Sequence, residues 1–432
     1  MHPTRSFRCS VLILSCVSLA TASAQDRFEA APVSYSASTP DNCISRLQDQ
    51  LDRGEVSLTF DEDHGYLKSV LTALHVPVES QALVFSKTSL QLRRISPRTP
   101  RALYFNDEAY IGFCQSGDVV EVSAVDSQLG TVFYTLSQRT LAATPKFERQ
   151  TDNCLVCHSS SRTDGIPGHL VRSLHVDKGG HPLLTAGSRN VNHTTPIEQR
   201  WGGWYVTGEH GLQKHLGNLI TDDEADPEQI DNSAGQNVTS LADRFDTDRY
   251  LSPHSDIVSL MVLEHQVLVH NRLTNASFAT REALAYDELM NHMLQKPDGN
   301  RLESTTRRIQ DAGDKLVDAL LLVDEAPLSA AIRGTSGYAE VFSATGPRDT
   351  QGRSLRDLDL NLRLFQYPCS YLIYSESFAQ LPDEMRDYVW QRMKAVLSGE
   401  DQSEKFAHLS AADRQAIADI LRETLPEAAQ RL

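Results

Sequence analysis

Past its first two dozen residues the chain has no uninterrupted apolar run near the roughly 18 residues that a membrane-spanning helix needs, so the sequence predicts no transmembrane span in the mature protein. It also lacks an excess of positive charge. Acidic residues number 57 against 41 basic ones, a formal net charge of −16, and a surface of that sign repels nucleic acid. No internal repeat is visible, which sets aside repeat architectures. Cysteine is scarce, with seven in all, and Cys154 and Cys157 form the one closely spaced pair. That scarcity argues against a structural zinc site, which needs a second Cys or His pair at short spacing. A thioredoxin-like dithiol would need a βαβ setting that the surrounding pattern does not offer.

What is present begins with a leader. Arg5 and Arg8 precede an apolar run over 11–22, and Ala22-Ser23-Ala24 supplies a small-residue cleavage site, the pattern of a secretory signal peptide. A lipoprotein reading at Cys16 has a poor acylation context in Ile13-Leu14-Ser15. Cleavage near Ala24 removes Arg5 and Arg8, leaves about 408 residues with a net charge of about −18, and predicts a periplasmic or secreted location. An oxidising compartment permits one disulfide among Cys43, Cys114 and Cys369, and each reads equally well as a small buried hydrophobe.

The remaining pattern predicts an α+β protein in three parts. Residues 25–150 read as a β-rich N-terminal module, with short helices at 43–51 and 66–76 and apolar runs at 82–86, 101–106, 109–113, 119–125 and 131–136 between turn residues. Residues 151–250 carry the Cys-x-x-Cys-His motif, a hairpin expected from 170–176 and 181–185, and the Trp201-Gly202-Gly203-Trp204 segment. An acidic stretch at 221–231, continued in polar residues to about Asp248, suits a long exposed loop or a boundary. Residues 251–432 predict a mainly helical region, with helices near 256–273, 279–294, 301–322, 382–397 and 410–423.

Covalent haem attachment needs two thiols to add across two vinyl groups and an imidazole to bind iron from one face, which a helix supplies at i, i+3 and i+4. Cys154, Cys157 and His158 have that spacing, behind capping residues in Thr151-Asp152-Asn153. With an export signal on the same chain, the motif predicts one covalent haem c with His158 as the proximal iron ligand. A single motif makes a di-haem peroxidase the poorer reading.

The opposite iron face decides function, because a Met or His there favours electron transfer and an open position lets small molecules bind. Ile257, Met261, His265 and Val269 share a helix face, so Met261 or His265 could reach iron, or both could be ordinary core. His193, His210 and His215 flank the Trp-Gly-Gly-Trp segment and are rival ligands. His169 lies so close to the motif that reaching the far haem face would be awkward. Trp201 and Trp204 could line the haem edge, with Gly202 and Gly203 allowing close approach, or be aromatic core. Arg172 and Arg200 could pair with the haem propionates, since a guanidinium fork matches a carboxylate, or form structural ion pairs.

Longer motifs add a resemblance. Ala102-Leu103-Tyr104-Phe105-Asn106-Asp107-Glu108, Gly165-Ile166-Pro167-Gly168-His169-Leu170-Val171-Arg172-Ser173, Arg200-Trp201-Gly202-Gly203-Trp204-Tyr205-Val206-Thr207-Gly208, His215-Leu216-Gly217-Asn218 and Tyr367-Pro368-Cys369-Ser370-Tyr371-Leu372-Ile373-Tyr374 accompany the 154–158 motif. Together they resemble a group of uncharacterised secreted proteins that carry a cytochrome c domain, over most of the mature chain. The resemblance implies haem c and no particular activity. Such relatives carry Met where this chain has Leu216, which leaves His215 as the safer ligand candidate of the two.

The sequence thus predicts a c-type cytochrome with one haem, engaged in single-electron transfer. The alternative is a monohaem enzyme or sensor with an open or displaceable sixth position, acting on a peroxide, a nitrogen oxide or a similar ligand; a third reading is a binding module stabilised by haem. The chain surrounds one motif with far more structure than a small cytochrome of about 100 residues, which argues for more than simple carriage. Its expected partner is a redox protein or a small-molecule oxidant.

Overall fold

A computed structural model describes residues 28–139, 144–221 and 230–432; the predicted leader and most of the acidic stretch lie outside the described residues. Six strands form one antiparallel sheet in sequence order: β1 (Ala82–Val84), β2 (Arg101–Phe105), β3 (Ala109–Phe113), β4 (Val119–Asp126), β5 (Gly130–Ser137) and β6 (Phe147–Gln150). Turn side chains set the register. Asn106 Oδ1 accepts from the Glu108 and Ala109 amides between β2 and β3, and Asp126 Oδ1 accepts from Gln128 and Leu129 between β4 and β5.

That register gives the sheet two unlike faces. Tyr104, Ile111, Val122 and Tyr134 align across the strands on one side and pack with Ile44, Leu47, Leu67 and Val70 of α1 (Cys43–Asp52) and α2 (Leu67–Ala73). Gly112, Glu121 and Thr135 align on the other side, beside a second row of Tyr110, Ser123 and Phe133. This smaller, more polar face receives the chain that follows β6. β6 itself was not expected, because Phe147-Glu148-Arg149-Gln150 has one apolar residue, and its pairing with β5 makes it a strand.

After the one-turn α3 (Leu155–His158), the expected hairpin takes a different partner. β7 (Arg172–Leu174) pairs with β8 (Ser188–Asn190), and the nearer stretch contributes an isolated Val176–Pro182 bridge and a Leu183–His175 hydrogen bond. Pro182 has no N–H to extend that ladder, so the chain detours before pairing. The described part of 230–250 is anchored: Asn232 and Gln236 side chains hold the His215 carbonyl, and Asn237 holds that of Gly211.

The C-terminal half is helical. α4 (Ile257–Leu294) runs unbroken for 38 residues where two helices were expected. The small residues Ala276 and Ser277 are buried, and Thr280 Oγ1 bonds back to the Ala276 carbonyl, so the polar gap in the pattern is a close-packed stretch. α5 (Glu303–Leu320) packs along α4, followed by α6 (Tyr338–Ser343), α7 (Glu376–Ala379), α8 (Asp383–Leu397), α9 (Ala411–Thr424) and α10 (Pro426–Arg431). Trp201, Trp204 and Val206 join the helical core, while Tyr205 joins the sheet core, so the 200–208 segment is shared between them. Among the described residues no helix is long and apolar enough to cross a membrane. Cys43, Cys114 and Cys369 are all unbridged.

Asp256 caps α4 from a fully buried position. Its Oδ1 accepts from the Val258 amide at 2.8 Å, and its Oδ2 accepts from the Thr335 and Ser336 amides at 2.6 and 2.7 Å. Asp256→Ala would leave those buried donors unpaired and should cost roughly 3 kcal/mol or more in urea unfolding, with Asp256→Asn losing less.

Candidate functional site

The motif turn is amphipathic over a single helical turn. Leu155 is 1% exposed and anchored in the sheet core, while Val156 is 66% exposed and Cys157 faces solvent. Cys154 is half-buried against that core. The His158 amide bonds to the Cys154 carbonyl at 3.0 Å, and Ser159 Oγ closes the turn on the Leu155 carbonyl at 2.6 Å. Both sulfurs and the imidazole therefore leave one short, pinned turn.

His158 Nδ1 lies 2.8 Å from the Gly168 carbonyl. A carbonyl can only accept, so Nδ1 carries the proton and Nε2 carries the lone pair. The Gly168 amide returns to the His158 carbonyl at 2.8 Å. Asn271 of α4 then clamps the next residue, its Oδ1 accepting from the His169 amide at 3.0 Å and its Nδ2 donating to the His169 carbonyl at 2.9 Å. A Cβ on Gly168 would come within 2.5 Å of Asn271 Oδ1, so the clamp requires glycine. Burial lowers the His158 pKa, and Phe133 packs against the ring at 4.8 Å. A neutral imidazole with its Nδ1–H held by a carbonyl has the orientation of a metal-ligating histidine.

Two guanidiniums stand near this turn. Arg172 donates from Nη2 to Ser188 Oγ at 2.8 Å, its carbonyl accepts from Trp204 Nε1 at 2.7 Å, and its Nε is buried with no hydrogen-bond partner. Burial first and Arg162 second push its pKa down, while Cys157 acts in the opposite sense. Arg101, which sequence reasoning passed over, pairs with Glu121 at 2.6 Å on the polar sheet face and also keeps a buried, unpartnered Nε. Both charges of that pair are felt at Cys154 and His158. Gly112 makes room, since a Cβ there would lie 2.2 Å from Arg101 Nη2. The only sequence signal was a glycine inside β3 whose neighbour across the sheet was unknown.

The remaining candidates sit away from the turn and, apart from His193, whose Nε2 is buried with no hydrogen-bond partner, are committed to other contacts. Arg200 donates to Glu264 at 2.9 Å, to the Thr195 carbonyl at 2.7 Å and to the His193 carbonyl at 3.1 Å, all inside the helical half. Trp201 is fully buried in that core, and Trp204 reaches the motif region only through the Arg172 carbonyl. Met261 is core. His265 bonds through Nδ1 to His193 Nδ1 at 3.0 Å and through Nε2 to Ser370 Oγ at 2.8 Å. His210 Nε2 accepts from the Asn237 amide and His215 Nδ1 from the Gly217 amide, both at 3.0 Å, so each lone pair is occupied. Along α4, Asn271 marks the level of the motif; at 1.5 Å per residue His265 lies about 9 Å and Met261 about 15 Å further up the axis. His169 is near His158 but spends its ring nitrogens on Ser123 Oγ at 2.8 Å and Thr131 Oγ1 at 3.2 Å.

Among the described residues Asp61, Asp63 and His64 form a group with three potential ligand atoms close together. Asp61 is already engaged by His64 Nδ1 and Lys68 Nζ, each at 3.0 Å, so its oxygens are spent on contacts within the group and to Lys68. The chain matches no model of a known protein family, no curated protein and no solved structure.

Burial sets an acid limit on this structure. His193, His215 and His270 are each pushed from 6.5 down to about 3, so their stabilisation is complete above pH 6.5 and is lost as pH falls towards 3. Glu264 and Glu325 are raised by burial from 4.5 to about 7, and their contribution is complete below pH 4.5 and lost as pH rises through 7. The two sets oppose each other between 6.5 and 4.5, and below that the histidines act together with carboxylates held down by their partners, such as Asp401 at about 2. Thermal melts should therefore show Tm falling gently to pH 4.5 and steeply from there to 3; a flat profile below 4.5 would contradict the buried neutral histidines.

Proposed function

We propose that the chain is a periplasmic c-type haem protein holding one haem through thioethers at Cys154 and Cys157, with His158 as proximal ligand. The observation that supports it most is the 2.8 Å contact from His158 Nδ1 to the Gly168 carbonyl, which leaves the Nε2 lone pair free beside the two thiols. The donor set fits the group: one exposed and one half-buried sulfur, one neutral imidazole, and buried unpartnered Nε–H groups on Arg101 and Arg172 that could meet carboxylates. When bound, haem supplies one-electron exchange and a coordination position for a small ligand. The chain's own part is to pin the turn through Leu155, to orient and hold the Nδ1 proton of His158 through Gly168 and Asn271, and to offer positive charge from Arg101 and Arg172.

The reading with an open or displaceable sixth position is favoured over six-coordinate electron transfer. The support is specific: the ring nitrogens of His265, His210 and His215 that could ligate are hydrogen-bonded, His193, whose Nε2 is unpartnered, is tied through Nδ1 to His265 away from the motif, and Met261 sits in the helical core. The protein then exchanges electrons with a redox partner or with a small oxidant bound at iron.

Protein produced with covalent haem maturation tests this. The full-length protein should keep its haem through a denaturing gel, and Cys154→Ala/Cys157→Ala should lose it. Carbon monoxide should change the ferrous spectrum. Retention of haem by the double variant would overturn the attachment, and a low-spin spectrum indifferent to carbon monoxide would overturn the open position.

A further inference from the structure

We infer that Tyr110 and His270 form a second redox centre coupled to the motif: Tyr110 gives one electron to the haem site while its phenolic proton passes to His270 Nδ1. The inference rests on the haem reading above.

The position of the proton follows from the hydrogen bonds. Gln266 Nε2 donates to the Tyr110 oxygen at 2.8 Å and to the Asn106 carbonyl at 2.7 Å. Tyr371 donates to Gln266 Oε1 at 2.5 Å, which sets the amide that way round. The phenol oxygen is therefore an acceptor from Gln266, and its own proton points to His270 Nδ1, 2.9 Å away. With the phenol hydroxyl as donor, His270 Nδ1 is the acceptor and holds the lone pair. Tyr110, Gln266, His270 and Tyr371 are all buried.

A phenol in an apolar interior loses an electron only if its proton leaves too, because the oxidised phenol cation is strongly acidic and its charge is costly to bury. Here the acceptor is already in place. The route to the motif is a run of ring contacts: Tyr110 to His169 at 3.9 Å, His169 to Phe133 at 6.1 Å, and Phe133 to His158 at 4.8 Å between centroids. His169 is a neutral spacer whose nitrogens are held by Ser123 and Thr131.

The oxidant is a hydroperoxide reduced at the haem site, which takes up two electrons and two solvent protons to give an alcohol, or water, plus water. One electron comes from the haem and one from Tyr110. The Tyr110 proton rests on His270 and returns when the redox partner re-reduces the phenoxyl.

The test is freeze-quench electron paramagnetic resonance on the haem-loaded full-length protein treated with hydrogen peroxide. A tyrosyl signal is expected in the unaltered protein and should vanish in Tyr110→Phe. Removing the proton acceptor in His270→Gln should slow its appearance by at least about 100-fold; this variant carries the comparison if Tyr110→Phe does not fold. No tyrosyl signal, or the same signal and rate in both variants, overturns the inference. A haem-stained gel of the same samples separates this from failure of the haem reading. If no haem is attached, photogenerated ruthenium(III) tris-bipyridine is applied instead to Cys154→Ala/Cys157→Ala. A tyrosyl whose histidine-bonded proton coupling disappears in D2O, and which is lost on adding Tyr110→Phe, then supports the pair, and its absence overturns it.

Discussion

The hydrogen bond between His158 Nδ1 and the Gly168 carbonyl ties an exposed, four-residue helical turn to the rest of the molecule. Without it, a turn this short would present a free imidazole with either tautomer. With it, the proton is fixed on one nitrogen and the lone pair on the other. The carbonyl is itself positioned by Asn271, more than a hundred residues away on α4, through two hydrogen bonds to the next residue. The motif's chemistry therefore depends on the long helix being packed against β5. That packing is close: a Cβ on Gly130, the first residue of β5, would fall 2.5 Å from Thr274 Cγ2.

The same helix carries the polar interior. Glu264 faces Arg200 at 2.9 Å, and burial, opposed by Arg200, raises the carboxyl to about 7. A buried pair of this kind is weak evidence for stability, since desolvation offsets most of the attraction. Its effect is positional. Arg200 also holds the Thr195 and His193 carbonyls, so the segment entering Trp201 is locked to α4. From there Trp204 reaches the Arg172 carbonyl, and Gly203 accepts from the Phe85 and Ser86 amides just past β1. His193 and His265, two of the histidines that sequence spacing offered as iron ligands, belong to this structural network.

What was legible in the sequence was local. The strand at 109–113 and the helix beginning at Cys43 match their expected starts because a short apolar run behind turn residues and an Asn42 cap are encoded within a few residues. β6 and β8 were not legible, since their residues become strands only through a partner. The unbroken run of α4 was missed because Thr274-Asn275-Ala276-Ser277 reads as polar, whereas small size is what the packing uses there. At the site, the thiol and imidazole spacing was readable at once. Gly168, Asn271 and Arg101 were not, because each has meaning only against a residue distant in sequence. Tyr110 and His270 were hidden for the same reason, 160 positions apart.

On the proposed reading, His158 Nε2 is the protein's single bond to haem iron. Resonance Raman spectroscopy of the ferrous, haem-loaded protein addresses it most directly, because the iron–histidine stretching mode is seen only in a five-coordinate, histidine-ligated haem. That mode is expected in the unaltered protein, with a shift in Asn271→Ala where the Gly168 carbonyl is released, and its loss in His158→Gly with recovery on adding imidazole. A six-coordinate ferrous spectrum without the mode, or one unchanged by His158→Gly, would contradict it.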